Sequence, residues 1–217
     1  MTRYWFLDCD ETLVQSSYSW GMKVAFPNLM ERHQLQFDRV KIEHAMNVVL
    51  QQTSDKSDIL TITTALFKEL DWSNDWVNEL LDDFRTNFKP SLFDDTIPFL
   101  EKLKKQNEVV SVISNNVHAT NILKEVSIDA YMDYVITPSI CGCEPKPHIS
   151  LWNYVKKVIP NIDIQNCIMI GNDKKIDGLF ADRCGIHCCI IDRNRNSNTH
   201  PQDNKYQWVS SLLEISV

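Results

Sequence analysis

Five short apolar runs limit what this chain can fold into more than any other feature of its sequence. Each run is four or five residues long, a typical length for a β-strand. Within a run, apolar residues mostly follow one another instead of alternating with polar ones, which is typical of strands covered on both faces. The sequence therefore predicts buried, mainly parallel strands. The runs are residues 4–7, 109–113, 134–137, 167–170 and 187–191.

Helical segments separate the later runs. Apolar residues recur with helical spacing in residues 96–106, 117–126 and 149–158, which predicts amphipathic helices. Strands that alternate with helices form parallel sheets through right-handed crossovers. We therefore predict an α/β fold, with a doubly wound, mainly parallel sheet and helices on both of its faces.

The alternation of strands and helices is interrupted after the first run. Residues 41–52, 59–70 and 75–88 all have the periodicity of amphipathic helices, with no convincing strand among them. We predict an α/β core formed by residues 1–17 and 88–217, with an inserted α-helical domain formed by residues 18–87. Near the end of the chain, the polar stretch 193–205 predicts a loop before a short last helix.

The composition indicates a globular protein with small partners. With 217 residues and 43% hydrophobic content, the chain can bury a full core. The formal net charge of −7 and the sequence pI near 5.3 disfavour a general surface for nucleic acid or for an anionic membrane. A local basic group can still hold one phosphate. The sequence does not indicate an oligomeric state.

The apolar runs and the cysteines bear on cellular location. No apolar stretch approaches the roughly 20 residues of a membrane span, and the first run is too short, and too soon followed by Asp8, for a secretory signal. Of the seven cysteines, Cys167, Cys188 and Cys189 lie inside apolar runs. We expect reduced, packed thiols instead of a disulfide framework, and a cytoplasmic protein. The cysteine spacing is not that of a zinc ribbon or finger.

Polar and charged side chains follow several of the apolar runs. In an open α/β sheet, ligands bind beyond the carboxyl ends of the strands. Asp8 and Asp10, with one residue between them, follow the first run. Burying an ionised carboxylate without a partner costs free energy, so these two must lie in water, bind a cation or share a proton. We therefore predict a functional site at this edge. Its candidate residues are Asp8, Asp10 and Thr12 after the first run, Ser114 and Asn115 after the second, Lys146 after the third, and Asp173 and Asp177 after the fourth.

These motifs together resemble those of the haloacid dehalogenase-like (HAD) superfamily of hydrolases. The chain has Asp-x-Asp-x-Thr at residues 8–12, a strand-terminal Ser114, Lys146 before a proline, and Gly-Asn-Asp-x-x-x-Asp at residues 171–177. The similarity extends from residue 3 to about residue 191, and the helical insert lies where this superfamily carries its type-one cap. The resemblance implies a Rossmann-like core with a cap domain. It also implies a phosphatase, because members that cleave carbon–halogen bonds generally lack an acid at the position of Asp10.

The resemblance implies a role for each residue of the first three motifs. Asp8 attacks phosphorus and forms an aspartyl-phosphate. Asp10 donates a proton to the leaving oxygen and accepts one from water. Ser114 and Asn115, with Thr12 of the first motif, bind the substrate, which we expect to be a small phosphorylated metabolite. Lys146 neutralises the phosphoryl oxygens and orients Asp8.

The resemblance also implies a Mg²⁺ cofactor. Asp8, the backbone carbonyl of Asp10, and Asp173 or Asp177 offer the hard oxygen ligands that Mg²⁺ prefers. The commonest form of the last motif has an acid directly after the glycine, where this chain has Asn172. We predict that Asp173 is the first candidate for the metal ligand and Asp177 the second.

Several alternatives remain open at this stage. Ser114 and its two following asparagines also suit the cap of the next helix, because capping and phosphate binding use the same backbone geometry. A phosphomutase would use the same motifs. A phosphoserine protein phosphatase is similar around residues 8–17, and a non-catalytic module could bind a phosphorylated ligand or a protein with this fold.

Overall fold

The structure is a computed structural model that describes residues 2–52, 58–193 and 205–217. It divides into two compact units. The first comprises Met1–Ser16 and Pro90–Val217, and the second comprises Ser17–Lys89. The role of the second unit as a cap domain stays a prediction, as do the domain boundaries. Most of the predicted 193–205 loop lies outside the described residues.

The first unit contains a six-stranded sheet in which all paired strands are parallel. The strands are β1 (Tyr4–Leu7), β4 (Val109–Ile113), β5 (Tyr134–Ile136), β6 (Cys167–Gly171), β7 (His187–Ile191) and β8 (Gln207–Val209). Their order in the sheet is β5-β4-β1-β6-β7-β8, so that β1 lies between β4 and β6 and the carboxyl ends of these three strands are adjacent. This order confirms the predicted doubly wound parallel sheet.

Three strands are absent from the sequence prediction. The edge strand β8 has three residues and pairs with β7, with Trp208 opposite Ile190. Strands β2 (Val14–Gln15) and β3 (Ser91–Leu92) pair antiparallel in a separate small sheet. They lie where the chain leaves the first unit and where it returns. The two-residue strands are too short to show a periodic pattern, and β8 begins with a glutamine and contains only two apolar residues.

Helices pack on both faces of the main sheet. Side chains of β1 alternate between the two faces of the sheet. On one face Trp5 contacts Phe99 of α6 (Thr96–Lys105), with 5.8 Å between the ring centroids. On the other face Phe6 contacts Trp152 of α9 (Ser150–Val158), with 5.5 Å between the ring centroids. All four side chains are almost completely buried. The helices of this unit are α6 (Thr96–Lys105), α7 (Ala119–Glu125), α8 (Pro138–Cys141), α9 (Ser150–Val158) and α10 (Leu179–Cys184).

The second unit is helical and has its own hydrophobic core. Buried Leu29, Phe67 and Leu80 belong to this core. Three of its helices correspond to predicted segments, whereas the turns between residues 17 and 32 were not predicted. The helices are α1 (Ser17–Trp20), α2 (Phe26–Arg32), α3 (Arg39–Gln52), α4 (Ile59–Glu69) and α5 (Trp76–Asn87), with a π-helical turn at Gly21–Ala25.

The cysteines differ in part from expectation. Cys141 and Cys143, with one residue between them, form a disulfide, so the expectation of reduced thiols is wrong for this pair. The other five are free, and four of them are buried. Burial raises the pKa of the Cys184 thiol to about 12, which keeps that thiol protonated and unreactive. Across the described residues, no helix has the length and apolarity that a membrane span requires.

Candidate active site

The ammonium group of Lys146 lies at the centre of the site. The side chain is 3% exposed, and its Nζ donates to Asp8 Oδ1 at 2.8 Å, to Asp177 Oδ1 at 2.6 Å and to the carbonyl of Ile113 at 2.7 Å. An ammonium has three protons, so these bonds satisfy all of them. Lys146 therefore joins the carboxyl ends of β1 and β4 to the segment that follows β6.

Burial and charge act in opposite directions on this cluster. Burial disfavours the Lys146 cation, but the charges of Asp177 and Asp8 outweigh it and raise the lysine pKa. Burial raises the pKa of Asp177 to about 6, against the opposing effect of Lys146, and burial also raises the pKa of Asp8. Lys146 is therefore charged at neutral pH, and it is the counter-ion that allows both carboxylates to be buried.

Asn115 holds the backbone of Lys146. Its Oδ1 accepts from the Lys146 N–H at 2.7 Å, and its Nδ2 donates to the Lys146 carbonyl at 2.9 Å. Pro145 and Pro147 flank the lysine and restrict the backbone on both sides. The Asn115 side chain thus positions Lys146, whereas the family resemblance predicts that Asn115 binds the substrate.

The first motif forms a tight turn after β1. The N–H of Glu11 donates to the carbonyl of Val14 at 2.8 Å, and Glu11 has a φ of 57°, in the left-handed region that L-residues seldom adopt. Asp10 is half-buried in this turn. Burial raises the pKa of its carboxyl group, and a hydrogen bond from Asn116 opposes the shift.

Thr12, a predicted substrate-binding residue, lies in the turn that follows β1. Its side chain is fully buried, and its hydroxyl has no hydrogen-bond partner within the described parts of the chain. Its carbonyl accepts from the Arg193 guanidinium. The contact of Thr12 that the structure shows is thus with Arg193, and its contact with a substrate stays a prediction.

Ser114 and Asn116 follow the end of β4, and Asn116 contacts Asp10. Ser114 is buried, and its Oγ accepts from the Asn116 N–H at 3.1 Å. Asn116 Nδ2 donates to Asp10 Oδ2 at 2.9 Å. Sequence reasoning missed this role of Asn116. The Ser-Asn-Asn triplet was the available signal, but a sequence does not show which amide faces which neighbour.

The two acids of the last motif have different environments. Asp173 is half-exposed, and its Oδ1 accepts from the N–H of Lys175 at 2.7 Å and of Ile176 at 3.3 Å. It thereby caps a π-helical turn at Lys174–Gly178. Asp177 is 1% exposed and faces Lys146. Asp177 thus belongs to the buried cluster, while Asp173 lies at its margin.

Gly171 makes room for the Asp177 carboxylate. A Cβ atom at Gly171 would lie 2.2 Å from Asp177 Oδ2, far closer than nonbonded atoms approach. The same oxygen accepts from the Asp173 N–H at 3.1 Å. The glycine at the end of β6 is therefore needed for close approach of a side chain, which explains why the motif begins with this residue type.

The available donors fit a hard divalent cation. Asp8, Asp173 and the carbonyl of Asp10 offer oxygen atoms only, the ligand type of Mg²⁺. Within residues 2–52, 58–193 and 205–217, no three His, Cys, Asp or Glu side chains form a ready metal-binding group. Mg²⁺ usually binds through one or two carboxylates, waters and substrate phosphate instead of an all-protein cage, so the donor set is compatible with it.

The fold and the site define a class of enzyme. An aspartate at the carboxyl end of the central strand, paired with a buried lysine and a second buried aspartate, is the arrangement expected of HAD-type hydrolases. The sequence model of the haloacid dehalogenase-like hydrolase family matches residues 6–191. The chain belongs to this family and is a hydrolase with a Rossmann-like core. A comparison with curated proteins finds no match.

Solved structures support the fold assignment. The HAD hydrolase YfnB of Bacillus subtilis, solved with bound magnesium, has a TM-score of 0.71 and 16% identity, over 98% of this chain and 96% of that one. A HAD family hydrolase of Deinococcus radiodurans, with bound phosphate and sodium, has a TM-score of 0.72 and 15% identity, over 98% and 93%. A HAD phosphatase of Thermococcus onnurineus has a TM-score of 0.60 and 21% identity, over 98% and 95%.

Proposed function

We propose that this protein is a phosphatase that hydrolyses the phosphate monoester of a small metabolite through a phosphorylated Asp8. The observation that carries the proposal is the 2.8 Å contact between Asp8 Oδ1 and the buried Lys146 ammonium, with the second carboxylate of Asp10 two residues further on. A nucleophile and an acid–base group on one turn, beside a fixed cation, match the needs of phosphoryl transfer.

The residues divide the reaction into two steps. In the first step an oxygen of Asp8 forms a bond to phosphorus, the bond from phosphorus to the ester oxygen breaks, and Asp10 gives that oxygen a proton. In the second step Asp10 takes a proton from water, whose oxygen attacks phosphorus and releases phosphate from Asp8. Ser114 Oγ accepts a hydrogen bond from the N–H of Asn116, so the Ser114 hydroxyl can donate its own proton to a phosphoryl oxygen.

Mg²⁺ is the cofactor that we propose. Asp8, the carbonyl of Asp10 and Asp173 would hold it. When bound, it would neutralise charge on the phosphoryl group and bring an anionic substrate to an anionic nucleophile. We assign Asp173 before Asp177 because the Asp177 carboxylate is occupied by Lys146 and the Asp173 N–H. The magnesium bound by the Bacillus structure supports the choice of Mg²⁺ as the cofactor.

The charge of the chain supports the substrate class that we propose. A net charge of −7 disfavours polyanions such as nucleic acids, whereas a single phosphate needs only the local charge of Lys146 and a metal ion. We propose a small phosphorylated metabolite, such as a sugar phosphate or a nucleotide, as the substrate. We also propose a cytoplasmic location, because five of the seven cysteines are free and only one pair forms a disulfide.

The test is hydrolysis of p-nitrophenyl phosphate and a panel of metabolite phosphates, with Mg²⁺ and with a chelator. We expect Asp8→Asn to lower kcat/KM by about 10³-fold or more, while the exposed control Asp94→Asn leaves it unchanged. Acid quenching of turnover with ³²P-labelled substrate should leave label on Asp8. Wild-type rates from folded Asp8→Asn would contradict the proposal.

The same assay separates the alternatives. Transfer of the phosphoryl group to a second hydroxyl without phosphate release would indicate a mutase. Activity on phosphoserine peptides alone would indicate a protein phosphatase. Binding of phosphate esters without turnover would indicate a non-catalytic module.

A further inference from the structure

Asn116 connects two elements of the site through the two ends of its side chain. Its Nδ2 donates to Asp10 Oδ2 at 2.9 Å, and its Oδ1 accepts from the N–H of His118 at 2.9 Å. Its own N–H donates to Ser114 Oγ at 3.1 Å. The turn after β1 and the start of α7 are therefore joined by one residue, although Asn116 and Asp10 are 106 residues apart in the chain.

The orientation of the amide follows from its partners. A backbone N–H can only donate, so the atom of Asn116 that faces His118 must be the carbonyl oxygen. The atom that faces Asp10 is then the amide nitrogen. The contact is consequently a hydrogen bond from a neutral donor to a carboxylate.

This hydrogen bond restricts the Asp10 carboxyl group. An aspartate side chain has two rotatable bonds, and a free one populates several orientations. The hydrogen bond from the amide to Oδ2 restricts rotation of the carboxyl group and leaves Oδ1 as the oxygen that can carry the transferable proton. The backbone below it is fixed as well, since the Glu11 N–H is bonded to the Val14 carbonyl.

We propose that Asn116 is a positioning residue that holds Asp10 in the orientation for proton transfer to the leaving oxygen. This inference rests on the proposed phosphatase function and adds a determinant of its rate. Misplacing a proton donor reduces a rate only as far as the leaving group needs the proton. The contribution of Asn116 should therefore depend on the ester.

The test compares two leaving groups in two variants. Asn116→Asp keeps an oxygen that can accept from His118 but loses the donor to Asp10, whereas Asn116→Ala loses both. For glycerol phosphate, whose alkoxide is a poor leaving group, we expect both variants to lower kcat/KM by about 10- to 100-fold. For p-nitrophenyl phosphate, whose phenolate needs little protonation, we expect a loss of less than about threefold.

The control and the readout exclude simpler explanations. Asn121→Asp, at an exposed position in α7, introduces the same charge away from Asp10 and should change neither rate. The ratio kcat/KM reports the steps up to release of the alcohol, so slow hydrolysis of the phosphorylated enzyme does not affect it.

Two results would overturn the inference, and they are distinguishable. If wild type cleaves both esters and Asn116→Asp loses neither rate or loses both equally, the positioning role is wrong and the phosphatase function stands. If wild type cleaves no ester at all, the proposed function is wrong, and the role of Asn116 in proton transfer is wrong with it.

Discussion

At the scale of single residues, the site depends on one buried cation between two buried carboxylates. Removing one partner of such a group leaves uncompensated charge in the interior, which costs far more than the net contribution of the intact group. Lys146 is the shared partner of Asp8 and Asp177. Lys146 therefore has a structural role in addition to the role in catalysis that we propose for it.

We expect Lys146→Met to lower the free energy of unfolding by about 3 kcal/mol at pH 8, and by less at pH 6. A carboxyl group whose pKa is higher in the folded protein binds a proton more readily there, so stability rises as the pH falls through that pKa. Asp177 already has a pKa of about 6 in the presence of Lys146, and loss of the cation raises it further. Between pH 8 and pH 6 the variant should therefore gain stability relative to wild type.

Urea unfolding at the two pH values measures this difference. The control is Lys157→Met, because Lys157 is exposed and should show a small, pH-independent effect. A deficit of Lys146→Met that stays constant between pH 8 and pH 6 would show that the buried carboxylates do not govern the loss.

At the scale of elements, Asp95 connects three segments of the first unit. Its Oδ2 accepts from the Leu212 N–H at 2.8 Å, from Ser211 Oγ at 2.7 Å and from Arg193 Nη1 at 3.0 Å. Burial alone would raise the pKa of this carboxyl group, but the bonds from Arg193, Ser211 and Leu212 outweigh it and lower the pKa. Asp95 thus attaches the C-terminal turn and Arg193, two residues after β7, to the start of α6.

We expect Asp95→Asn to lower the free energy of unfolding by about 2 kcal/mol at pH 7, because hydrogen bonds to a charged acceptor are worth more than those to a neutral one. A lowered pKa means that the charged group stabilises the folded state above its unfolded value of 3.8, and that this contribution is lost as the pH falls below it. The difference between wild type and variant should therefore decrease in strong acid.

Thermal or urea unfolding of Asp95→Asn beside Asp94→Asn tests the prediction. Asp94 is its exposed neighbour and makes the matched control for the change of charge. Equal stability of the two variants would mean that the contacts of Asp95 Oδ2 contribute nothing net.

At the scale of the whole molecule, the two units have separate hydrophobic cores. Phe67 belongs to the core of the helical unit, while Phe6 and Trp152 belong to the core on one face of the sheet. Separate cores allow separate opening reactions with different free energies. Local stability should therefore differ between the units.

We expect Phe67→Ala to speed amide hydrogen exchange in α4 and α5 and to leave exchange in β1 and β4 nearly unchanged. Deleting a buried phenyl ring removes about 3 kcal/mol from the structure that encloses it, and the opening free energy of that structure falls accordingly. Hydrogen exchange measured by mass spectrometry on the full chain gives the exchange rate of each segment. Trp152→Ala is the reciprocal control, and an equal loss of protection in both units would show that they open together.

Most of the sheet could be read from the sequence because its signals are local. The apolar runs at 4–7 and 109–113 became β1 and β4 with the predicted bounds, since a buried parallel strand needs apolar residues on both faces. Strand β8 was missed because its three residues, Gln207–Val209, form a strand only by pairing with β7. Asp8 and Ser114 were predicted as site residues because they come directly after β1 and β4.

The sequence by itself determined which residue types meet at the edge of the sheet, because parallel strands all bring their carboxyl ends to that edge. Only the tertiary structure decided which of those residues contact one another. Asn115 bonds to the Lys146 backbone, and Asn116 bonds to Asp10. Asp177 belongs to the buried cluster around Lys146, whereas Asp173 does not. The physical reason is that a hydrogen bond or an ion pair joins atoms about 3 Å apart, a distance set by packing between segments that lie far apart in the chain.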